Sequence, residues 1–172
     1  RPTMPSDNLV RGHLFLYNNP RKRWFSCTTT NGFAIFSLTT TCFLWKKMWI
    51  EYQPNPTGRR VGDCAVRAIA KALDIDWEQA YALLCSNGYA MGDMPSADSV
   101  WGATLRQHGF YRQAIPDNCP DCYTAEEFCK DNPKGTFVLG FGGHVATVVD
   151  GNLFDSWNSS KEIPQFVWYR KE

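Results

Sequence analysis

The sequence has no long apolar run. Its most apolar stretch, GFAIFSLTTTCFLW at residues 32–45, is short and rich in Thr, whereas a membrane-spanning helix needs about 20 consecutive, mainly apolar residues. The stretch also lacks the small-residue cleavage site of a secretory signal. We therefore expect a cytoplasmic protein and no membrane partner. Basic residues on both sides of the stretch, Arg21-Lys22-Arg23 and Lys46-Lys47, leave a weak membrane anchor as the alternative.

The cysteines do not form the evenly spaced, even-numbered set that holds small secreted domains together. There are seven of them, and their spacings suggest no disulfide framework. We expect free thiols in a reducing compartment, which agrees with a cytoplasmic location. The seven are Cys27, Cys42, Cys64, Cys85, Cys119, Cys122 and Cys129.

The chain has no large excess of charge of one sign, since its formal net charge is +1. This near-neutrality hides an asymmetry. Residues 1–47 hold seven basic residues and one acidic residue, which gives +6, whereas 11 basic and 16 acidic residues give residues 48–172 a charge of −5. Proteins bind nucleic acid mainly through clustered Lys and Arg. We therefore expect no nucleic-acid partner for the acidic part.

Residues 1–47 also differ from the rest in pattern. They begin with Arg, contain clusters of Thr, and keep neither helical nor alternating apolar periodicity for long. From Met48 onward the pattern becomes regular. We predict a domain over 48–172, and we interpret residues 1–47 as upstream read-through or an artefact in preference to a functional basic arm.

The first half of the predicted domain is helical. Apolar spacing indicates a helix over 64–73 with Asp63 as its N-cap. A capping box at Asp76 and a stop at Gly88 indicate a second helix. Two further helices are predicted at 96–109 and from Thr124 onward.

The second half has the pattern of short strands. Four β-branched and aromatic runs, GTFVLGF, HVATVV, GNLFDSW and QFVWYR, are separated by Gly-Gly, Asp-Gly and Pro164. Helices followed by strands predict an α+β fold, in which an N-terminal helical half packs on a C-terminal antiparallel sheet.

Histidine is scarce, and only two histidines follow Met48. His108 lies at the predicted C-terminal end of a helix, where the carbonyl groups favour an imidazole without any catalytic role. His144 follows Gly142-Gly143 and begins an apolar strand. A buried, hydrogen-bonded histidine is the plain alternative at this position as well.

A predicted hairpin places a carboxylate near His144. The segment VVDGNLFDSW indicates a two-residue turn at Asp150-Gly151. Pairing Val149 with Asn152 puts Asp155 on the same face as His144 and diagonal to it, within reach of side-chain contact.

Cys64 would complete a catalytic set with these two residues. A thiol at a helix N-terminus is activated by the helix end and by an imidazolium, because both stabilise the thiolate. A carboxylate that orients the imidazole keeps it in the required tautomer. The alternative for Cys64 alone is an inert core thiol, since free cysteine is among the most buried residue types.

The order Cys, His, Asp resembles that of the papain-like cysteine peptidases. DSW at 155–157 resembles the Asn-Ser-Trp of that family, and DC at 63–64 is similar to the Asp-Cys of bacteriocin-processing double-glycine peptidases. The chain also resembles small uncharacterised phage-encoded proteins of this clan. The resemblance implies a papain-like fold, a peptide or protein substrate and no cofactor. It also implies Cys64 as nucleophile, His144 as general base, Asp155 as orienting residue and Trp157 as a shield over that pair.

One residue departs from the family pattern. The family has an oxyanion-hole Gln six residues before the nucleophile, where this chain has Gly58. Gln53 or Asn55 could supply the side-chain amide instead, with the Cys64 backbone N–H as the second donor. Because one such donor is worth about 10²–10³ in rate, its loss would leave a weak or inactive enzyme.

Two other functions stay open. Cys119, Cys122 and Cys129, with His108 before them, could hold a structural zinc ion in an interaction domain, although their spacing fits such a site only loosely. A papain-like domain could also have lost catalysis and serve as a binding module. The sequence does not distinguish a hydrolase from an acyltransferase, and it does not indicate the oligomeric state.

Overall fold

The computed structural model describes residues 48–116 and 122–170, so the interpretation of residues 1–47 lies outside it. The described part contains four helices and six strands. The helices are α1 (Cys64–Leu73), α2 (Trp77–Met91), α3 (Asp98–Gln107) and α4 (Ala125–Asp131). The strands are β1 (Trp49–Glu51), β2 (Phe110–Ala114), β3 (Thr136–Gly140), β4 (Val145–Val149), β5 (Asn152–Asp155) and β6 (Phe166–Arg170).

The six strands form one sheet in the order β1-β5-β4-β3-β6-β2. The α+β class is therefore confirmed. The prediction of a purely antiparallel, C-terminal sheet is wrong, because β1 precedes the helices and pairs with β5 in parallel. A strand of three residues is too short to show a period of two, and its partner lies about a hundred residues away along the chain.

Both faces of the sheet are covered. Neighbouring strand residues point to opposite faces, and in β3 they join different groups of buried side chains: Val138 packs with α1, α2 and α3, whereas Leu139 packs with α4. The first group includes Ile69, Leu84, Val100, Trp101, Leu105, Phe166 and Trp168. The second includes Phe128, Cys129, Phe141, Val148, Leu153 and Val167.

The predicted hairpin between β4 and β5 is confirmed. Val149 pairs with Asn152, and the two turn residues have positive φ, 48° at Asp150 and 70° at Gly151. Positive φ at both central residues is the requirement of a type I′ turn, which joins strands of normal right-handed twist. The beginning of β4 and the end of β5 are consequently neighbours at the same end of the two paired strands.

The prediction that the second helix stops at Gly88 is wrong. The helix passes through Gly88 and ends at Gly92, whose φ of 67° suits the left-handed C-cap position. Gly88 has a packing role instead. A Cβ atom at this position would lie 2.7 Å from the carbonyl oxygen of Asp93 in the loop that folds back against the helix.

Replacing Gly88 by alanine is expected to lower the free energy of unfolding by about 1–2 kcal/mol. The clash is with a backbone atom at 2.7 Å and costs about 2–3 kcal/mol, the upper part of the range for overpacking, and the better helix propensity of alanine returns about 1 kcal/mol. Urea denaturation measures the change. Gly62→Ala is the matched control, because nothing lies within 4 Å of its added Cβ. Equal stability of the two variants would contradict the packing role.

Within the part of the chain that the structure describes, no helix is both long enough and apolar enough to cross a membrane.

Candidate active site

Cys64 is the first residue of α1 and is half-buried. The first N–H groups of a helix have no carbonyl partner within the helix, and they carry the positive end of its dipole. The sequence prediction of a cysteine at a helix N-terminus is therefore confirmed. Helix α1 packs on the sheet through a hydrogen bond that the Thr147 hydroxyl of β4 donates to the Ala68 carbonyl at 3.0 Å. This contact fixes the helix against the strand that follows His144.

His144 lies in the tight connection between β3 and β4. The Phe141 N–H donates to the His144 carbonyl at 2.8 Å, which closes the turn around Gly142 and Gly143. Two aromatic rings lie near the imidazole, that of Phe141 at 5.9 Å and that of Trp157 at 5.3 Å between ring centroids. The ring orientation is therefore set by packing as well as by hydrogen bonding.

The structure brings His144 and Asp155 together, as the hairpin register predicted. His144 Nε2 lies 2.6 Å from Asp155 Oδ2, so the imidazole N–H donates to the carboxylate. Nδ1 is then the ring nitrogen left for the thiol of Cys64, which lies close enough to His144 for each group to shift the pKa of the other. The structure thus brings Cys64, His144 and Asp155 together.

The Cys64 thiol is biased towards its charged form. Burial raises its pKa, but the hydrogen bond and charge of His144, the Val145 backbone N–H and the charge of Arg67 together lower it below the ordinary value. For His144, burial lowers the pKa, and the contacts with Asp155 and Cys64 outweigh burial and raise it to about 9. Both shifts favour the thiolate–imidazolium form of the pair over its neutral form.

Asp155 is held by more than His144. The carboxylate is 2% exposed and accepts hydrogen bonds from the Ser159 hydroxyl at 2.5 Å and the Ser156 N–H at 2.7 Å. A buried carboxylate needs such partners to stay ionised. Ser159 was not found from the sequence, because a serine four residues after an aspartate in a loop gives no distinctive pattern.

Arg67 is a further residue that sequence reasoning missed. It is buried, and its guanidinium forms an ion pair with Asp63 and lies 3.7 Å from Asp155. It therefore links the start of the helix that carries Cys64 to the carboxylate that binds His144. The spacing of Asp63 and Arg67, four residues apart on a helix, is a readable sign of a pair.

The ion pair with Arg67 replaces the helix-capping role that the sequence predicted for Asp63. It stands at the N-cap position of α1, but its side chain caps no backbone N–H. One carboxylate oxygen binds Arg67, and the other accepts the indole N–H of Trp77 at 3.0 Å. The charge of a buried arginine outcompetes a backbone N–H, because hydrogen bonds between charged groups are the stronger ones.

Trp157 lies against the imidazole of His144 while 44% of its own surface stays exposed. The ring centroids of the indole and the imidazole are 5.3 Å apart, with the rings tilted by 43°. The carboxylate of Asp155 beneath it is almost fully buried. This arrangement is what a shield over the His144–Asp155 pair requires, and the shielding role itself stays a prediction.

The two candidate oxyanion donors fold the loop that precedes α1. Gln53 Nε2 donates to the Arg59 carbonyl at 3.0 Å, and Asn55 Oδ1 accepts from the Thr57 N–H at 3.0 Å and from the Thr57 hydroxyl at 2.8 Å. Gln53 also lines a cavity together with Trp157. The catalytic role of both amides stays a prediction.

Only some of the candidate zinc ligands lie among the residues that the structure describes. Cys119 lies outside the described residues. In the described ranges, no three His, Cys, Asp or Glu side chains are grouped to hold a metal ion. Burial, with Glu126 nearby, raises the pKa of Cys129 to about 12, and a zinc ligand must be a thiolate. His108 Nδ1 is engaged with the Thr104 carbonyl at 2.8 Å.

Comparisons with known proteins give this chain no relative. No protein-family model, no curated protein and no solved structure matches it. The function of this chain is therefore inferred from the geometry and electrostatics of Cys64, His144 and Asp155.

Proposed function

We propose that residues 48–172 form a papain-like cysteine hydrolase that cleaves an amide or isopeptide bond of a peptide or protein. The observation that carries the proposal is the 2.6 Å contact of His144 with the buried Asp155, beside a Cys64 thiol whose pKa is lowered by His144. The packing of α1 on the sheet, the position of Cys64 at the start of α1 and the DSW segment at 155–157 support the papain-like assignment.

In the first half of the reaction, the thiolate Sγ attacks the substrate carbonyl carbon and the carbonyl oxygen takes up the negative charge. The His144 imidazolium then gives its proton to the departing amine as the C–N bond breaks. This step leaves a thioester on Cys64 and a neutral imidazole. The Cys64 backbone N–H, with an amide of Gln53 or Asn55, is the proposed donor set for the oxyanion.

In the second half, the neutral His144 removes a proton from water as the water oxygen attacks the thioester carbonyl. The C–S bond breaks, the carboxylic acid is released, and the thiolate–imidazolium pair is restored. Asp155 holds the ring orientation throughout. If an amine replaces water, the same site is an acyltransferase.

The proposal is tested by digesting a pool of peptide and isopeptide substrates in H₂¹⁸O and analysing the products by mass spectrometry. Hydrolysis adds one solvent oxygen to each new carboxylate, so labelled products are expected from the wild type and from Cys85→Ala. They are expected to fall to background in Cys64→Ala. Equal labelling by wild type and Cys64→Ala would contradict the nucleophile, and its complete absence from all samples would favour a catalytically inactive binding module.

A further inference from the structure

A cavity of about 170 Å³ lies next to the His144–Asp155 pair. Its lining consists of Gln53, Arg60, Val61, Arg67, Ser156 and Trp157. Ser156 follows Asp155 in the chain, and Trp157 packs on the imidazole of His144. The cavity therefore lies beside the catalytic pair on the side of the imidazole.

The size of the cavity suits one side chain or one chain terminus. An engineered protein cavity of about 150 Å³ holds a benzene molecule. The present cavity differs from such a site because its walls are partly polar, and a polar wall calls for a ligand with matching polar groups.

The charge of the lining is positive. Two arginines and no carboxylate line the cavity. Arg67 is already engaged, since Asp63 and Asp155 lie against its guanidinium. Arg60 is exposed, and none of the carboxylates in residues 48–116 and 122–170 forms an ion pair with it. Arg60 is thus the cation available to a ligand, and a guanidinium binds carboxylates through two parallel N–H groups.

The lining also contains an acceptor without a donor. Gln53 Oε1 is buried and has no hydrogen-bond partner within the described part of the chain. Such an atom carries a free-energy cost that a ligand N–H can remove. A ligand that offers both an N–H and a carboxylate therefore matches Gln53 and Arg60 together.

We infer that this cavity binds a carboxylate on the leaving part of the substrate, with Arg60 as its counter-ion. The inference rests on the proposed function, because His144 must protonate the departing amine and the leaving part therefore lies over the imidazole. The carboxylate belongs either to an acidic side chain or to the chain terminus of the residue that follows the cleaved bond.

The test measures binding of three leaving-group probes to the full chain carrying Cys64→Ala, by NMR of the Trp157 indole N–H. Isoglutamine carries only the side-chain carboxylate, glutamine only the terminal carboxylate, and glutaminamide neither. We expect at least one acidic probe to bind roughly tenfold more tightly than glutaminamide, because hydrogen bonds to charged groups are the strong ones. The preferred acidic probe identifies the source of the carboxylate.

Two further variants, each in the Cys64→Ala chain, isolate Arg60. Arg60→Gln is expected to remove the preference for the acidic probe, and Arg59→Gln, a change at the neighbouring exposed arginine, is expected to keep it. Equal binding of all three probes, no binding of any, or a preference that survives Arg60→Gln would overturn the inference. Because these chains lack the nucleophile, the result is independent of the peptide digestion that tests hydrolysis.

Discussion

Replacing His144 by alanine is expected to slow the alkylation of Cys64 by iodoacetamide at pH 6 by roughly tenfold. An unassisted cysteine has a pKa of about 8.5, so only about 0.3% of it is thiolate at pH 6. The lost thiolate is partly offset, because a thiolate of higher pKa is intrinsically more nucleophilic, with a Brønsted coefficient of about 0.4–0.5. The loss of thiolate is the larger effect because the Brønsted coefficient is below 1, so Cys64 should be labelled more slowly without His144.

The directions of the two pKa shifts predict how alkylation and hydrolysis should change with pH. The thiolate needs a pH above the lowered pKa of Cys64, and the imidazolium needs a pH below the raised pKa of His144, about 9. Alkylation by the wild type should therefore stay fast below pH 8 and continue above pH 9, since it needs only the thiolate. Hydrolysis should fall above about pH 9, because His144 then has no proton for the leaving amine.

The control for this measurement is His108→Ala, which removes the other histidine of the described residues. Labelling of Cys85, a partly buried thiol on α2, serves as the internal standard in each sample. We expect His108→Ala to leave both rates unchanged. Slow labelling of Cys64 in the wild type, with no effect of His144→Ala, would mean that Cys64 is an inert core thiol.

The second large effect is expected at Arg67. Replacing it by methionine leaves Asp63 and Asp155, both buried, without their shared cation. Removing one partner of a buried ion pair costs about 3–5 kcal/mol, because the remaining charge is left uncompensated. We expect Arg67→Met to lower the free energy of unfolding by about this amount, measured by urea denaturation.

Arg59→Met is the matched control, because it removes an exposed arginine of the loop before α1. Exposed substitutions of this kind change stability by about 0.5 kcal/mol or less. A further variant, Arg67→Lys, keeps the charge but loses the planar guanidinium, and it should lie between Arg67→Met and the wild type. Equal stability of Arg67→Met and Arg59→Met would contradict a supporting role of the ion pair.

The hairpin between β4 and β5 was predictable because it depends on residues that are close together in the sequence. Asp150-Gly151 fixes the turn, the turn fixes the pairing of Val149 with Asn152, and this register brings Asp155 towards His144. Each step depends on residues close together in the chain, so each was predictable. The position of Cys64 at a helix start was predictable for the same reason.

The features that the sequence did not predict depend on contacts between distant segments. Strand β1 is fixed by β5, about a hundred residues later, and the Tyr52 N–H donates to the Asp155 carbonyl at 2.9 Å. The local sequence predicts Asp63 as an N-cap, but in the fold its carboxylate binds Arg67 and Trp77 instead. Gly88 is read locally as a helix stop, but the returning loop uses it for close packing.

The position of β6 has a consequence for the synthesis of the protein on the ribosome. β6 is the last described strand along the chain, yet it lies between β3 and β2 inside the sheet. A nascent chain that has already made Cys64, His144 and Asp155 therefore still lacks a central strand and its buried Phe166, Val167 and Trp168. Because β6 is an inner strand, the completed sheet forms only after residue 170 has left the exit tunnel. We therefore expect Cys64, His144 and Asp155 to reach their final arrangement after translation of the domain and not during it.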